Sequence, residues 1–211
     1  MIGDNKCRMQ NAECRIDTQT QRGFTLMEML VALSLFSVVV VIATDLFSTF
    51  QKISRKTESL QQLTSDARFI TETVARYVRE NRIDYGAYSS PLSGAQNTLH
   101  LIPSAQTPTI TVGVADDCWD GKKTFRCVQV TQGNSIPERF SGADIWVRSL
   151  QFYITPAENP FAFDLESGDY LSNAQPRVTV FLSLANSKDD TAQNYTKYEV
   201  QTTITNRIYT R

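Results

Sequence analysis

Glu28 is the residue that most needs a chemical explanation. It stands near the start of an otherwise uncharged segment that runs from Phe24 to Thr44, and a carboxylate surrounded by hydrocarbon is strongly penalised. Such a charge needs a reason. The other reactive side chains form no catalytic constellation. The single histidine, His100, lies in a strand-like run, and the chain has neither a G-x-S-x-G context nor a cysteine placed as a nucleophile. An ordinary strand histidine, no enzyme activity and no cofactor are therefore expected. Asp116, Asp117 and Asp120 could offer oxygen ligands to calcium, but their spacing fits no standard loop and suits a turn. Asp189 and Asp190 read the same way, and no metal is expected. Asn194-Tyr195-Thr196 spells a glycosylation sequon, a short pattern that chance supplies readily. Lys122, Lys123 and Arg126, with Trp119 and Phe125 nearby, make the one basic and aromatic cluster able to touch single-stranded DNA. A solvated hairpin tip is the simpler expectation for it.

The elements that must position these residues are legible from hydrophobic patterning. From Phe24 to about Phe50 the chain is rich in Leu, Val, Ile, Phe and Met, contains no Gly or Pro, and has Ser and Thr as its main polar residues. Roughly 20 such residues suffice to cross a bilayer as a helix. The length of the run and the consecutive valines Val38 to Val41 weigh against a core helix of a soluble protein. Asp45, then Lys52, Arg55 and Lys56, mark the exit into water. Beyond them Leu60, Leu63, Ala67, Ile70, Val74 and Val78 recur with helical period, predicting an amphipathic continuation over residues 51–84. One continuous helix of about 55 to 60 residues is expected, ended by Tyr85-Gly86 and Ser89-Ser90-Pro91.

After Gly86 the period changes from helical to two. Leu99 and Leu101, Ile110 to Val114, Val128 and Val130, Leu150 to Ile154, Val178 to Leu184, and Tyr198 to Ile204 each alternate with polar or small residues. An antiparallel sheet over residues 85–211 is expected, one face on the helix and one in water, giving an α+β chain. Asp120-Gly121 supplies a turn between two of these runs, and Cys118 with Cys127 could staple the resulting hairpin if the compartment is oxidising. Closing a loop of about ten residues stabilises by roughly 2 to 3 kcal/mol in the chain-entropy model. The stretch from Thr155 to Ser172, with Phe161-Ala162-Phe163, is either an interaction loop or, more simply, an aromatic hairpin tip folded back on the sheet.

Residues 1–23 are polar, mixed in charge and without apolar periodicity, and read as a disordered leader. A small residue, Gly23, precedes the apolar run instead of following it. Cleavage there would leave the hydrophobic segment on the mature chain, the reverse of an ordinary secretory signal. Lys6, Arg8, Arg15 and Arg22 against Asp4, Glu13 and Asp17 favour a cytoplasmic leader by the positive-inside tendency. Cys7 and Cys14 are expected to be unpaired thiols. Across the whole chain 21 basic and 22 acidic residues give a formal net charge of -1, which offers no general case for nucleic-acid binding.

The stretch Arg22-Gly23-Phe24-Thr25-Leu26-Met27-Glu28, a G-F-T-L-x-E pattern opening a hydrophobic helix, resembles the processing site of type IV prepilins and type II secretion pseudopilins. Leu60-Gln61-Gln62 leading to Asp66-Ala67-Arg68-Phe69, then Arg76-Tyr77-Val78-Arg79, is similar to the helix of PilW-like minor pilins and J-type pseudopilins. So are Val147 to Phe152, Pro176 to Val180 and the ending Gln201 to Arg207. The resemblance implies that Gly23 is the residue a membrane prepilin peptidase requires and that Phe24 becomes an N-methylated terminus. It further implies that Glu28 neutralises the N-terminal amine of a neighbouring subunit inside a filament. The implied protein is a single-pass protein of the bacterial inner or cytoplasmic membrane with an extracytoplasmic β-rich head. Its partners would be the peptidase, other major and minor pilins or pseudopilins and an inner-membrane assembly platform, with nucleic acid expected only in a DNA-uptake pilus. The leading expectation is a low-copy minor pilin or pseudopilin that primes assembly at the filament tip. A major pilin is the nearest alternative, and a membrane-anchored extracytoplasmic enzyme or ligand-binding domain the more distant one.

Overall fold

The computed structural model describes residues 23–89, 91–103, 108–142, 144–165, 168–170, 174–192 and 195–207. The leader expected over residues 1–23, with Cys7 and Cys14, lies outside them except for Gly23. Helix α1 runs over Leu26–Glu80, 55 residues. The chain divides into two units after Phe50.

In the first unit every side chain of the helix is exposed, from Leu26 at 80% to Phe50 at 67%. The helix is long and apolar enough to cross a membrane, with none of its most apolar stretch buried against the protein. Four of its hydroxyls, on Ser34, Ser37, Thr44 and Thr49, donate to carbonyls of the preceding turn. Ser34 Oγ donates to Val31 O, Ser37 Oγ to Leu33 O and Thr44 Oγ1 to Val40 O, each at 2.8 Å. Such back-bonding suits a medium that offers no water.

In the second unit α1 turns one stripe inward. Leu63, Ala67, Ile70, Val74 and Val78 are buried, the positions expected from the helical period except for Leu60, which stays 37% exposed. They join one core with residues of two sheets. Strands β1 (Asn81–Ile83), β2 (Leu99–Pro103), β3 (Ile110–Trp119), β4 (Thr124–Gln132) and β5 (Glu138–Arg139) form an antiparallel sheet in that order. Strands β6 (Trp146–Thr155), β9 (Arg177–Ala185) and β10 (Lys197–Thr205) form another, ordered β10-β9-β6. Between β6 and β9 the short strands β7 (Phe163–Asp164) and β8 (Asp169–Tyr170) pair as a hairpin.

The fold is the expected α+β arrangement of a long N-terminal helix and antiparallel strands, with two corrections. The strands make separate sheets instead of one: β6 pairs with β9, and its other edge reaches the first sheet's approach segment through the isolated bridge Gln96–Phe152. A β-bulge at Arg148 interrupts β6 beside that seam, and bulges bend and over-twist a strand locally. The helix also stops at Glu80 instead of residue 84, because β1 pairs with β2 over Asn81–Ile83. The last turn leaves carbonyls without intrahelical donors, and asparagines supply them. Asn81 Nδ2 donates to Tyr77 O at 2.8 Å. Asn206, fully buried after β10, donates from Nδ2 to Val78 O at 2.9 Å and to Asn81 O at 2.6 Å.

Candidate functional site

The helix N-terminus is built by reciprocal hydrogen bonds between Thr25 and Glu28. Thr25 N and Thr25 Oγ1 each donate to Glu28 Oε2 at 2.9 Å, while Glu28 N donates to Thr25 Oγ1 at 3.3 Å. Met29 N closes the first turn onto Thr25 O at 3.2 Å. Thr25 is thus the N-cap and Glu28 the third helical residue of a capping box. Sequence reasoning missed Thr25, although its T-x-x-E spacing before an apolar run is the standard signal for this motif. Glu28 therefore already has one partner in the isolated chain. Beside it, no atom of the described residues lies within 4 Å of the point a Cβ on Gly23 would occupy. Phe24 is 82% exposed.

The second cluster is the β3–β4 hairpin. Cys118 and Cys127 are joined by a disulfide with their Cα atoms 6.0 Å apart. Ala115 pairs with Cys127 and Cys118 with Phe125, so Asp116 and Asp117 together face Arg126 in a β-bulge. This geometry draws Arg126 away from the tip. Its Nε lies 2.8 Å from Asp116 Oδ1, and its Nη1 donates to Arg148 O at 2.7 Å. At the tip, Asp120 Oδ1 accepts from the backbone amides of Lys122 and Lys123 at 2.8 Å each. Those amides, Lys123 first, hold the Asp120 carboxyl below its ordinary range. Lys123 Nζ is 3.5 Å from Asp144. Lys122 and Lys123 thus hold the tip through their amides on Asp120, Lys123 also meets Asp144, and Arg126 pairs with Asp116. Trp119 remains 62% exposed beside them.

The remaining candidates are structural in their contacts. His100 sits in β2 with Nδ1 3.4 Å from Thr111 Oγ1 and its ring edge-on to Tyr88 at 5.3 Å. Tyr88 accepts from His100 N at 2.7 Å and donates to Thr98 O at 3.1 Å, and burial pushes its hydroxyl up to about 12. Asp189 Oδ1 accepts from Thr191 Oγ1 at 2.7 Å and from Thr191 N at 3.0 Å, an exposed turn. Among the described residues no group of His, Cys, Asp or Glu is placed to hold a metal ion. Phe161 packs against the core and meets Tyr85 edge-on at 6.5 Å, while Phe163 meets Tyr170 at 5.4 Å. The aromatic stretch is thus a folded-back hairpin. Asn194 lies outside the described residues.

One family model, the prokaryotic N-terminal methylation motif, matches residues 18–44. That span contains Gly23, Phe24, the capping box and most of the exposed apolar helix. No curated protein and no solved structure matches the chain.

Proposed function

We propose that this chain is the precursor of a minor pilin or pseudopilin, cleaved between Gly23 and Phe24 and methylated on the new terminus. The observation that carries the reading is the coincidence of the methylation-motif match with a capped, wholly exposed apolar helix. Gly23 supports it further: a glycine with no packing contact among the described residues that would call for it fits a requirement imposed by a peptidase. Residues 24–50 then anchor the protein in the cytoplasmic membrane, and residues 51–211 form the extracytoplasmic part. On assembly the apolar helix leaves the lipid for the filament core, where Glu28 meets the amine of a neighbouring Phe24 in a medium that punishes unpaired charge. The role is that of a low-copy subunit that primes or caps a filament through packing contacts.

The test is a mass spectrum of the protein isolated from its native membrane, with and without an active prepilin peptidase. A chain beginning at methylated Phe24 is expected, converting to the full precursor when the peptidase is inactive or Gly23→Leu is introduced. A native chain that keeps its leader would overturn the assignment.

A further inference from the structure

A cavity of about 450 Å3 opens beside the seam of the two sheets, within the roughly 300 to 1,000 Å3 usual for small-ligand sites. Its lining is unusually polar for a space bounded by strands. Thr111 and Thr131 are cross-strand partners, and Gly113 pairs with Gln129 on the same face of β3 and β4. Asn97, Thr98, Ser149 and Gln151 add further polar groups, and Val114 and Leu150 contribute its apolar part. Gly113 keeps one wall low, since a Cβ there would come within 3.2 Å of Thr98 Cγ2.

Arg126 and Arg148 also line the cavity, and both owe their placement to bulges. Arg126 faces the bulged pair Asp116 and Asp117, whereas Arg148 is itself the extra residue between Val147 and Ser149. Bulges of this kind re-aim a side chain out of the strand's alternation. The charges differ in their compensation. Arg126 is paired with Asp116. Arg148 donates through Nη2 to Lys188 O at 3.1 Å and lies over the Tyr195 ring at 5.3 Å; its buried Nε, like that of Arg126, has no hydrogen-bond partner, but unlike Arg126 it has no ion pair either. No carboxylate lies within ion-pair distance of it among the described residues, and Asp189 acts on it only at longer range. A partly buried guanidinium without an anion is an incomplete pairing, and its planar fork suits a carboxylate.

We propose that this cavity binds an acidic sugar, with Arg148 on the carboxylate and the threonine hydroxyls and glutamine amides on the ring hydroxyls. Thr and Gln side chains can each donate and accept, which matches a polyol better than a bare anion or an apolar ligand. The site is independent of the filament reading and would stand if that reading failed.

The test is a chemical-shift titration of the isotope-labelled full-length protein in detergent micelles with glucuronate, glucose, acetate and inorganic phosphate. Saturable shifts at Thr111, Gln129 and Thr131 are expected with glucuronate, and at concentrations about tenfold higher or more with the other three. Arg148→Gln and, separately, Gln129→Leu should each weaken glucuronate about tenfold or more, with unchanged thermal midpoints showing that the fold persists. Gln129 is half-buried and its side chain makes no hydrogen bond or ion pair among the described residues, so it keeps the test valid if Arg148→Gln unfolds. Absence of saturable glucuronate shifts overturns the proposal. So does acetate or phosphate binding as tightly as glucuronate, or glucuronate binding untouched by Gln129→Leu.

Discussion

Glu28 has two oxygens and two prospective tasks. Both Thr25 donors go to Oε2, and Oε1 has no hydrogen-bond partner among the described residues. The capping box therefore holds the carboxylate in place without exhausting it, and a neighbouring amine could take the open oxygen. Capping and charge can be separated by substitution, because glutamine also serves at the third position of a capping box but carries no charge. Glu28→Gln should insert in the membrane and retain its helix, yet enter filaments on the order of tenfold less than wild type, and Glu28→Ala should be excluded to a similar extent. Thr25→Ala should loosen the first turn by about 0.5 to 2 kcal/mol while leaving the charge available, and its incorporation should stay close to normal. Immunoblots of sheared filaments against the cell-bound pool measure all three. Normal incorporation of Glu28→Gln would reduce Glu28 to a helix cap.

Among the elements, the end of α1 is fixed by a residue far away in the chain. Asn206 reaches from the end of β10 to the carbonyls of Val78 and Asn81, and its own amide donates to Pro176 O at 2.9 Å. Removing a buried donor from two carbonyls leaves both to be resolvated or left unpaired, at about 1 to 3 kcal/mol. Asn206→Ala should lower the denaturant midpoint accordingly with an unchanged slope, and an unaltered midpoint would show that water replaces the side chain. Local pattern could not have announced this contact, which spans residues 78 to 206. Nor could it separate β1 from α1: Asn81-Arg82-Ile83 continues a polar–apolar texture that fits either period, and only pairing with β2 decides. Strands such as β9 were legible because Val178, Val180, Leu182 and Leu184 hold one phase and are all buried. The two-residue strands β5, β7 and β8 are too short to show any phase. The bulges did leave a trace. Val147 is followed inward by Leu150, Phe152 and Ile154, a switch from odd to even positions that falls at Arg148. The arginine-lined cavity was thus partly written in the sequence, but its other wall needed the fold.

At the scale of the whole chain, the cysteines lie on both sides of the apolar helix and so report its topology. Cys118 and Cys127 are bonded, and a disulfide persists only where thiols are kept oxidised. Cys7 and Cys14 precede the helix, in a leader whose basic residues favour the cytoplasm. If α1 crosses the membrane once, the two pairs must sit at different redox poise in the same molecule. Precursor accumulated in cells without prepilin peptidase retains all four cysteines, so each can be trapped by rapid alkylation and read by mass spectrometry. Cys7 and Cys14 should be alkylated at once, with Cys118 and Cys127 modified only after reduction. Cys118→Ser/Cys127→Ser should lose roughly 2 to 3 kcal/mol of stability, while Cys7→Ser/Cys14→Ser should change nothing. Four cysteines in one redox state would place both ends of the helix in one compartment and remove the membrane crossing on which the filament reading depends.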